Sequence, residues 1–325
     1  MKKKLIIESL LILLIFLYSC QGLIDFIPPD FEEKLSVNAV IINGRNQNKI
    51  IVEKTFQYEY PSEANASLED MTVTIRSESE VVFEYFNPKS ENRIDTIYLP
   101  ADLVFIPNQK YTLTISEKNS ESITSEIIVP TPPFIPEVSI EGTVQTFLPP
   151  PQECNNPVKS IVLNVNFLSN ENRFYYLGID GFYNDTLSAM IDYDIIESNS
   201  PYFRTFIQGF LSIKFRHCAT SPFSTIPGGI YQACFFDSKT IPGNNCAFKI
   251  KVDINRLYNY TKPIRITLNS LHKEFYTYEK SYHTYFETLF DPFSEPVYLR
   301  GNIRGGYGIF TINSISNTSF ILPVN

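Results

Sequence analysis

With 325 residues, 43% hydrophobic and 19% charged, the chain is long enough for two ordinary domains and too apolar for wholesale disorder. A net charge of -8 excludes a nucleic-acid binder built on clustered Lys and Arg, since duplex binding needs those cations to neutralise phosphates. Tyr and Phe are abundant and Trp is absent, a balance that favours strands.

The first elements concern address. Lys2, Lys3 and Lys4 form a positive n-region, and Leu10 to Leu17 an apolar h-region too short to span a bilayer. Residues 1–19 therefore read as a signal peptide. Leu17-Tyr18-Ser19-Cys20 resembles the bacterial lipobox, with a branched apolar residue three places before the Cys and a small one just before it. That resemblance implies cleavage before Cys20 and attachment of acyl chains to it. Two hydrophobic anchors already suffice for stable membrane attachment. Residues 20–33, with Pro28-Pro29 and little periodicity, read as a tether.

From residue 34 to 130 the chain predicts seven short strands: "LSVNAVII", "KIIVEKTF", "MTVTIRS", "VVFEYF", "DTIYL", "KYTLTISE" and "SITSEIIV". Apolar and polar residues alternate plainly in the third and sixth. Seven strands in about 100 residues predict an immunoglobulin-like antiparallel β-sandwich. Tyr111, which follows the turn "PNQK" at a strand start, has the position of a tyrosine corner. The proline-rich stretch "VPTPPFIP" then predicts a short, semi-rigid linker over 131–136.

Residues 137–325 predict a larger β-rich domain. "KSIVLNVNFLS", "RFYYLGIDGFYND", "IQGFLSIKF" and "CAFKIKVDI" read as strands. Leu268, Leu271, Phe275, Tyr278, Tyr282, Tyr285 and Leu289 recur at spacings of three and four, which predicts one long amphipathic helix over about 268–290. Asp291-Pro292 would end it, and Asn269 or Ser270 would cap its start.

Four cysteines follow Cys20. An even number in an exported chain predicts two disulfides, with three possible pairings. Cys234 and Cys246 flank the Pro-Gly loop "FFDSKTIPGNN" and are the favoured pair, leaving Cys154 with Cys218. Zinc would call for a C-x2-C knuckle, which the sequence lacks. Glu279, His283 and Glu287 stand at i, i+4 and i+8, a spacing that can hold a metal but also marks solvated charges beside a core seam. Asp180, Asp185, Asp192, Asp194 and Glu197 are acids for calcium or glycoside chemistry, without an EF-hand pattern. His217, His272 and His283 are the three histidines, and no G-x-S-x-G elbow nominates a nucleophile. No cofactor, metal or catalytic residue is expected.

"EPVYLRGNIRGGYGIF", Glu295 to Phe310, is the densest motif. A Walker A loop needs G-K-[ST] after its glycines, and here Gly305-Gly306 are followed by Tyr307. The reading left is a structural turn at Gly305, Gly306 and Gly308 between two strands, "PVYLRGNI" and "YGIFTI". The stretch resembles the ending "EP-x-x-x-x-S-N-I-x-G-G-x-G-I-F" of a Bacteroidetes cell-envelope lipoprotein family, domain of unknown function 4249. Gly301 stands where Ser is common. The Tyr-rich segment "FYTYEKSYHTYFE", the lipobox and the "PTPP" junction agree with it. The resemblance implies no known catalysis. It implies an accessory role at the outer membrane, on its periplasmic or its outer side, beside TonB-dependent transporters. The expected function is thus a lipid-anchored protein that binds such a transporter or its ligand. A secreted hydrolase of glycans or peptides, and a structural surface adhesin, are the alternatives.

Overall fold

The computed structural model describes residues 33–55, 67–89, 93–118, 120–146, 158–169, 173–183, 187–190, 193–198, 234–240, 245–253, 264–288 and 297–320. The signal peptide, Cys20, the tether up to residue 32, Cys154, Cys218, Asp185, Asp192, His217 and the expected strand "IQGFLSIKF" lie outside the described residues.

The protein is mainly β. Seven strands come first: β1 (Leu35–Asn43), β2 (Lys49–Lys54), β3 (Glu69–Ser77), β4 (Val81–Lys89), β5 (Ile94–Tyr98), β6 (Lys110–Glu117) and β7 (Ser120–Ile128). They coincide with the seven segments that alternation predicts. Then follow β8 (Glu137–Thr146), β9 (Val158–Leu168), β10 (Phe174–Tyr183), β11 (Leu187–Met190), β12 (Tyr193–Ser198), β13 (Cys234–Asp237), β14 (Asn245–Asp253) and β15 (Ile264–Leu271). One α-helix, α1 (Lys273–Thr288), and β16 (Tyr307–Phe320) complete the described chain.

The strands form three sheets. The central sheet has the order β11-β10-β15-β16-β1-β2-β5, with β13 also on β10. Its two halves are covered by separate four-stranded sheets, β4-β3-β6-β7 and β12-β14-β9-β8. Within β1, Leu35, Val37, Ala39 and Ile41 are buried and point to one face, as period-2 geometry requires. They meet Met71, Val73 and Ile75 of β3 and Leu113 and Ile115 of β6 in the first core. Each such side chain contributes roughly 1.5–3 kcal/mol when buried. The second core lies between β9 and β14 on one side and β10 and β15 on the other, with Leu163, Val165, Leu177, Ile250 and Ile266 at its centre.

The two halves of the chain are joined at β16. This last strand pairs in parallel with β1, from Ser36↔Tyr307 to Asn43↔Ser314, and antiparallel with β15. Phe310 and Ile312 of β16 thereby enter the first core. The proline-rich linker is fastened to the same strand: Ser314 Oγ donates to the Pro130 carbonyl (2.5 Å) and Ser316 Oγ to the Pro133 carbonyl (2.7 Å).

The helix is shorter at its start than the spacing predicts. Leu268 and Leu271 belong to β15, whose Ile264, Ile266 and Leu268 alternate into the second core. Asn269 and Ser270 are likewise strand residues and cap nothing. The 3–4 periodicity had merged a buried strand with the helix that follows it. Val40, Ile309 and Leu271 face away from the two large cores and pack with Phe275, Tyr276 and Tyr278 of α1, so the helix lies on the other face of the central sheet.

Candidate functional site

The glycine stretch occupies the junction of helix, central sheet and first cover sheet. Residues 297–303 form no strand, which corrects the reading of "PVYLRGNI". Arg304 makes one bridge to Thr124 of β7, with N–H to carbonyl distances of 2.7 and 3.1 Å in the two directions. The Asn302 side chain substitutes for the missing ladder. Its Oδ1 accepts from Phe310 N–H and its Nδ2 donates to the Phe310 carbonyl, both at 2.8 Å. Asn302 N–H in turn donates to the Gly308 carbonyl at 3.1 Å. A side-chain amide carries one donor and one acceptor side by side, so it can mimic a backbone peptide. This role escaped the sequence reading, which treated Asn302 only as part of a family ending.

The glycines answer specific geometric demands. Gly305 and Gly308 have φ of 81° and 102°, a region that L side chains rarely adopt. A Cβ on Gly308 would run into the Val37 carbonyl, one on Gly301 into the Gly308 carbonyl, and one on Gly306 would stand 2.5 Å from the Leu35 carbonyl. Four backbone donors of this stretch are spent inside the protein. The N–H groups of Gly301, Asn302, Arg304 and Phe310 go to Leu299 O, Gly308 O, Thr124 O and Asn302 Oδ1. A phosphate cradle would present such groups to a ligand.

Tyr111 is buried, and its hydroxyl accepts from Ile106 N–H (3.0 Å) and donates to Gln109 Oε1 (3.0 Å). Phe105 packs edge-on against its ring, with centroids 5.1 Å apart. Beside this corner lies a surface groove of about 360 Å³ lined by Glu78, Ile106, Pro107, Asn108, Gln109, Lys110 and Ile128. Its two charges are of opposite sign, and Lys110 is already paired with Glu126 at 2.8 Å. Glu78 is the one carboxylate among its lining residues, whereas acid-pair hydrolysis needs two.

At the opposite end of β1 stands a buried ion pair. Lys54 Nζ lies 2.5 Å from Glu117 Oε1, and the Glu117 side chain is only 1% exposed. Burial alone would raise the Glu117 carboxyl. Hydrogen bonds from Lys54, Ser120 and the Glu69 N–H, with the charge of Lys54, outweigh it and hold the group below the usual range.

On α1, burial pushes the Glu279 carboxyl up to about 7. Tyr278 is raised too, first by burial and then by Glu279 and Tyr282. The side chains of His283 and Glu287 lie outside the described residues, as do those of Asp180, Asp194 and Glu197. Among the described residues, no three His, Cys, Asp or Glu side chains converge as a metal site would require. No described helix is long and apolar enough to cross a membrane.

Cys246 is a buried free thiol in this structure. Burial pushes it up to about 12, against a hydrogen bond with Ser169 that lowers it. Cys246 registers with Phe167 on the second cover sheet, and Cys234 registers with Leu177 on the central sheet. Phe167 and Leu177 share the second core.

The glycine junction ties the end of the chain to its beginning, and the family comparison spans the same extent. The model of the family described as Domain of unknown function (DUF4249) matches residues 24–319. The chain belongs to this family. No curated protein matches it.

Proposed function

We propose that this protein is a lipid-anchored outer-membrane accessory protein of a Bacteroidetes cell envelope, which binds a TonB-dependent transporter or its ligand. The lipobox Leu17–Cys20, behind a positive n-region and an apolar h-region, carries this reading. The described fold begins at Glu33, a tether's length after Cys20. Family membership supports a shared envelope role, and the aromatic richness suits contact with protein or glycan, because Tyr supplies large area at low entropic cost. The body has two parts in this reading. The first, 34–130, is an immunoglobulin-like sandwich acting as spacer or dock, supported by its seven strands and by the Tyr111 hydroxyl bonded to a backbone N–H five residues upstream. The second, 137–325, carries an amphipathic α1 and makes the main contact.

The test has two arms. Cys20→Ala should move the protein from the membrane fraction to the soluble one, and unchanged fractionation would sink the anchor. Tagged protein extracted in mild detergent should bring down an outer-membrane barrel. Protein that runs alone at native expression, while hydrolysing a glycan or peptide library, would transfer the function to the enzyme reading.

The same export route motivates an oxidised second core. We propose a Cys234–Cys246 disulfide joining the central sheet to the second cover sheet, supported by the register positions of the two residues on either side of one core. The crosslink would stabilise by roughly 3 kcal/mol through loop entropy. Non-reducing peptide mapping of the exported protein should show the linked peptide. A free Cys246 in that material would eliminate it.

A further inference from the structure

We propose that a tyrosine-rich rim at the tether end of the body rests on the lipid surface to which the chain is anchored; this rests on the lipid-anchor reading above.

The chain enters the fold at a fixed point. Lys34 N–H donates to Thr55 Oγ1 (2.9 Å), and Thr55 N–H to the Lys34 carbonyl (2.8 Å). Lys34 Nζ sits 6.0 Å from the centroid of the Tyr307 ring. The tether therefore delivers the body with Tyr307 beside it. Twelve residues separate Cys20 from Glu33, and the thirteen steps reach at most about 45 Å. The far end of β1 lies about 30 Å further from the point of attachment, so the tether keeps the Tyr307 end on average the nearer to the bilayer.

Five exposed apolar side chains gather there: Tyr282, Tyr285, Tyr298, Leu299 and Tyr307. Hydrogen bonds bring the neighbourhoods of four of them together, and Tyr285 follows Tyr282 by about one turn of α1. Arg300 N–H donates to Ser281 Oγ at 3.0 Å, which places Tyr298 and Leu299 against the turn of α1 that carries Tyr282. Asn302 N–H reaches the Gly308 carbonyl, next to Tyr307. Tyr298 is 85% exposed and Tyr307 54%, far more than packing inside the protein would leave. Lys34 and the exposed Arg300 add cations at the same end. Tyr rings with a polar tip, mixed with Leu and cations, suit the headgroup layer of an anionic membrane better than bulk water.

The chain has no Trp, so one Tyr→Trp change makes a unique emitter. Full-length protein carrying Tyr298→Trp, Tyr307→Trp or Tyr98→Trp would be reconstituted through its own anchor into phosphatidylethanolamine–phosphatidylglycerol vesicles. Lipids brominated near the glycerol end of the acyl chain then report contact. Tyr98 is a matched control, since it is exposed on β5 opposite Lys49, at the other end of the sheet. Tyr298→Trp and Tyr307→Trp should shift to the blue and lose most of their emission, while Tyr98→Trp keeps its own. Protein that floats with the vesicles but leaves Tyr298→Trp unquenched overturns the rim and spares the anchor. Equal quenching at all three sites overturns the orientation. Emission unquenched in vesicles yet shielded from acrylamide in native envelopes would give the rim to a protein partner and overturn the proposal. A chain that does not float overturns anchor and rim together.

Discussion

Gly308→Ala should cost about 2–4 kcal/mol of folding stability, close to the margin on which an ordinary domain survives. Two penalties add. The backbone stands at φ 102°, where an L side chain is strained, and the new Cβ would meet the Val37 carbonyl of the paired strand. That neighbour is backbone inside a ladder, so it cannot swing aside as a side chain would. Relief would require parting β1 from β16 where they pair, Val37 opposite Gly308. Gly44→Ala isolates the first penalty. Gly44 has φ 79° but nothing within 4 Å of its would-be Cβ, so roughly 1 kcal/mol is expected. Urea unfolding of both variants gives the comparison. Equal midpoints would show that the close approach at Gly308 costs nothing, and the structural reading of the glycine stretch would lose its support.

Lys54→Met should be costlier still, about 3–5 kcal/mol at neutral pH, because it strands the Glu117 carboxylate in a buried site. The double variant Lys54→Met with Glu117→Leu should recover most of the loss, since two apolar groups need no partner. The pH dependence has a definite sign. The folded-state pKa of Glu117 lies below the ordinary 4.5, so the wild-type pair contributes fully above that value. Its contribution drains away as pH falls through the lower, folded value. In Lys54→Met the carboxyl loses its main lowering partner, so the deficit relative to wild type should shrink under acid. Denaturation midpoints between pH 7 and pH 3 would show this. A deficit that stays constant with pH would assign the loss to packing by the Lys54 stem instead.

The strands were legible because alternation is a local property. Met71, Val73 and Ile75 are buried while Thr72 and Thr74 between them are not, and the pattern is written in five consecutive letters. The helix was legible in its middle and not at its start, where Leu268 and Leu271 fit a helical spacing although Ile264, Ile266 and Leu268 alternate as a strand. β8 contains Gly142 and a register shift, which blurred its alternation. The sheet order was illegible, because nothing local marks β1 and β16 as partners. The candidate junction was half legible. Positive φ at Gly305 and Gly308 follows from glycine's freedom, but the carbonyls of Leu35 and Val37 that exclude a side chain come from the other end of the chain.

That long-range partnership governs the order of assembly. In a chain made from its N-terminus, β1 is available some 270 residues before β16 arrives to pair with it. Loop closure over such a span is slow, and an open, apolar-faced strand edge invites wrong partners meanwhile. The first cover sheet can fold on β1, β2 and β5 early, but the central sheet stays split until the last strand is delivered. A holding chaperone would matter most in that interval, and truncation just before Tyr307 should trap the protein in it.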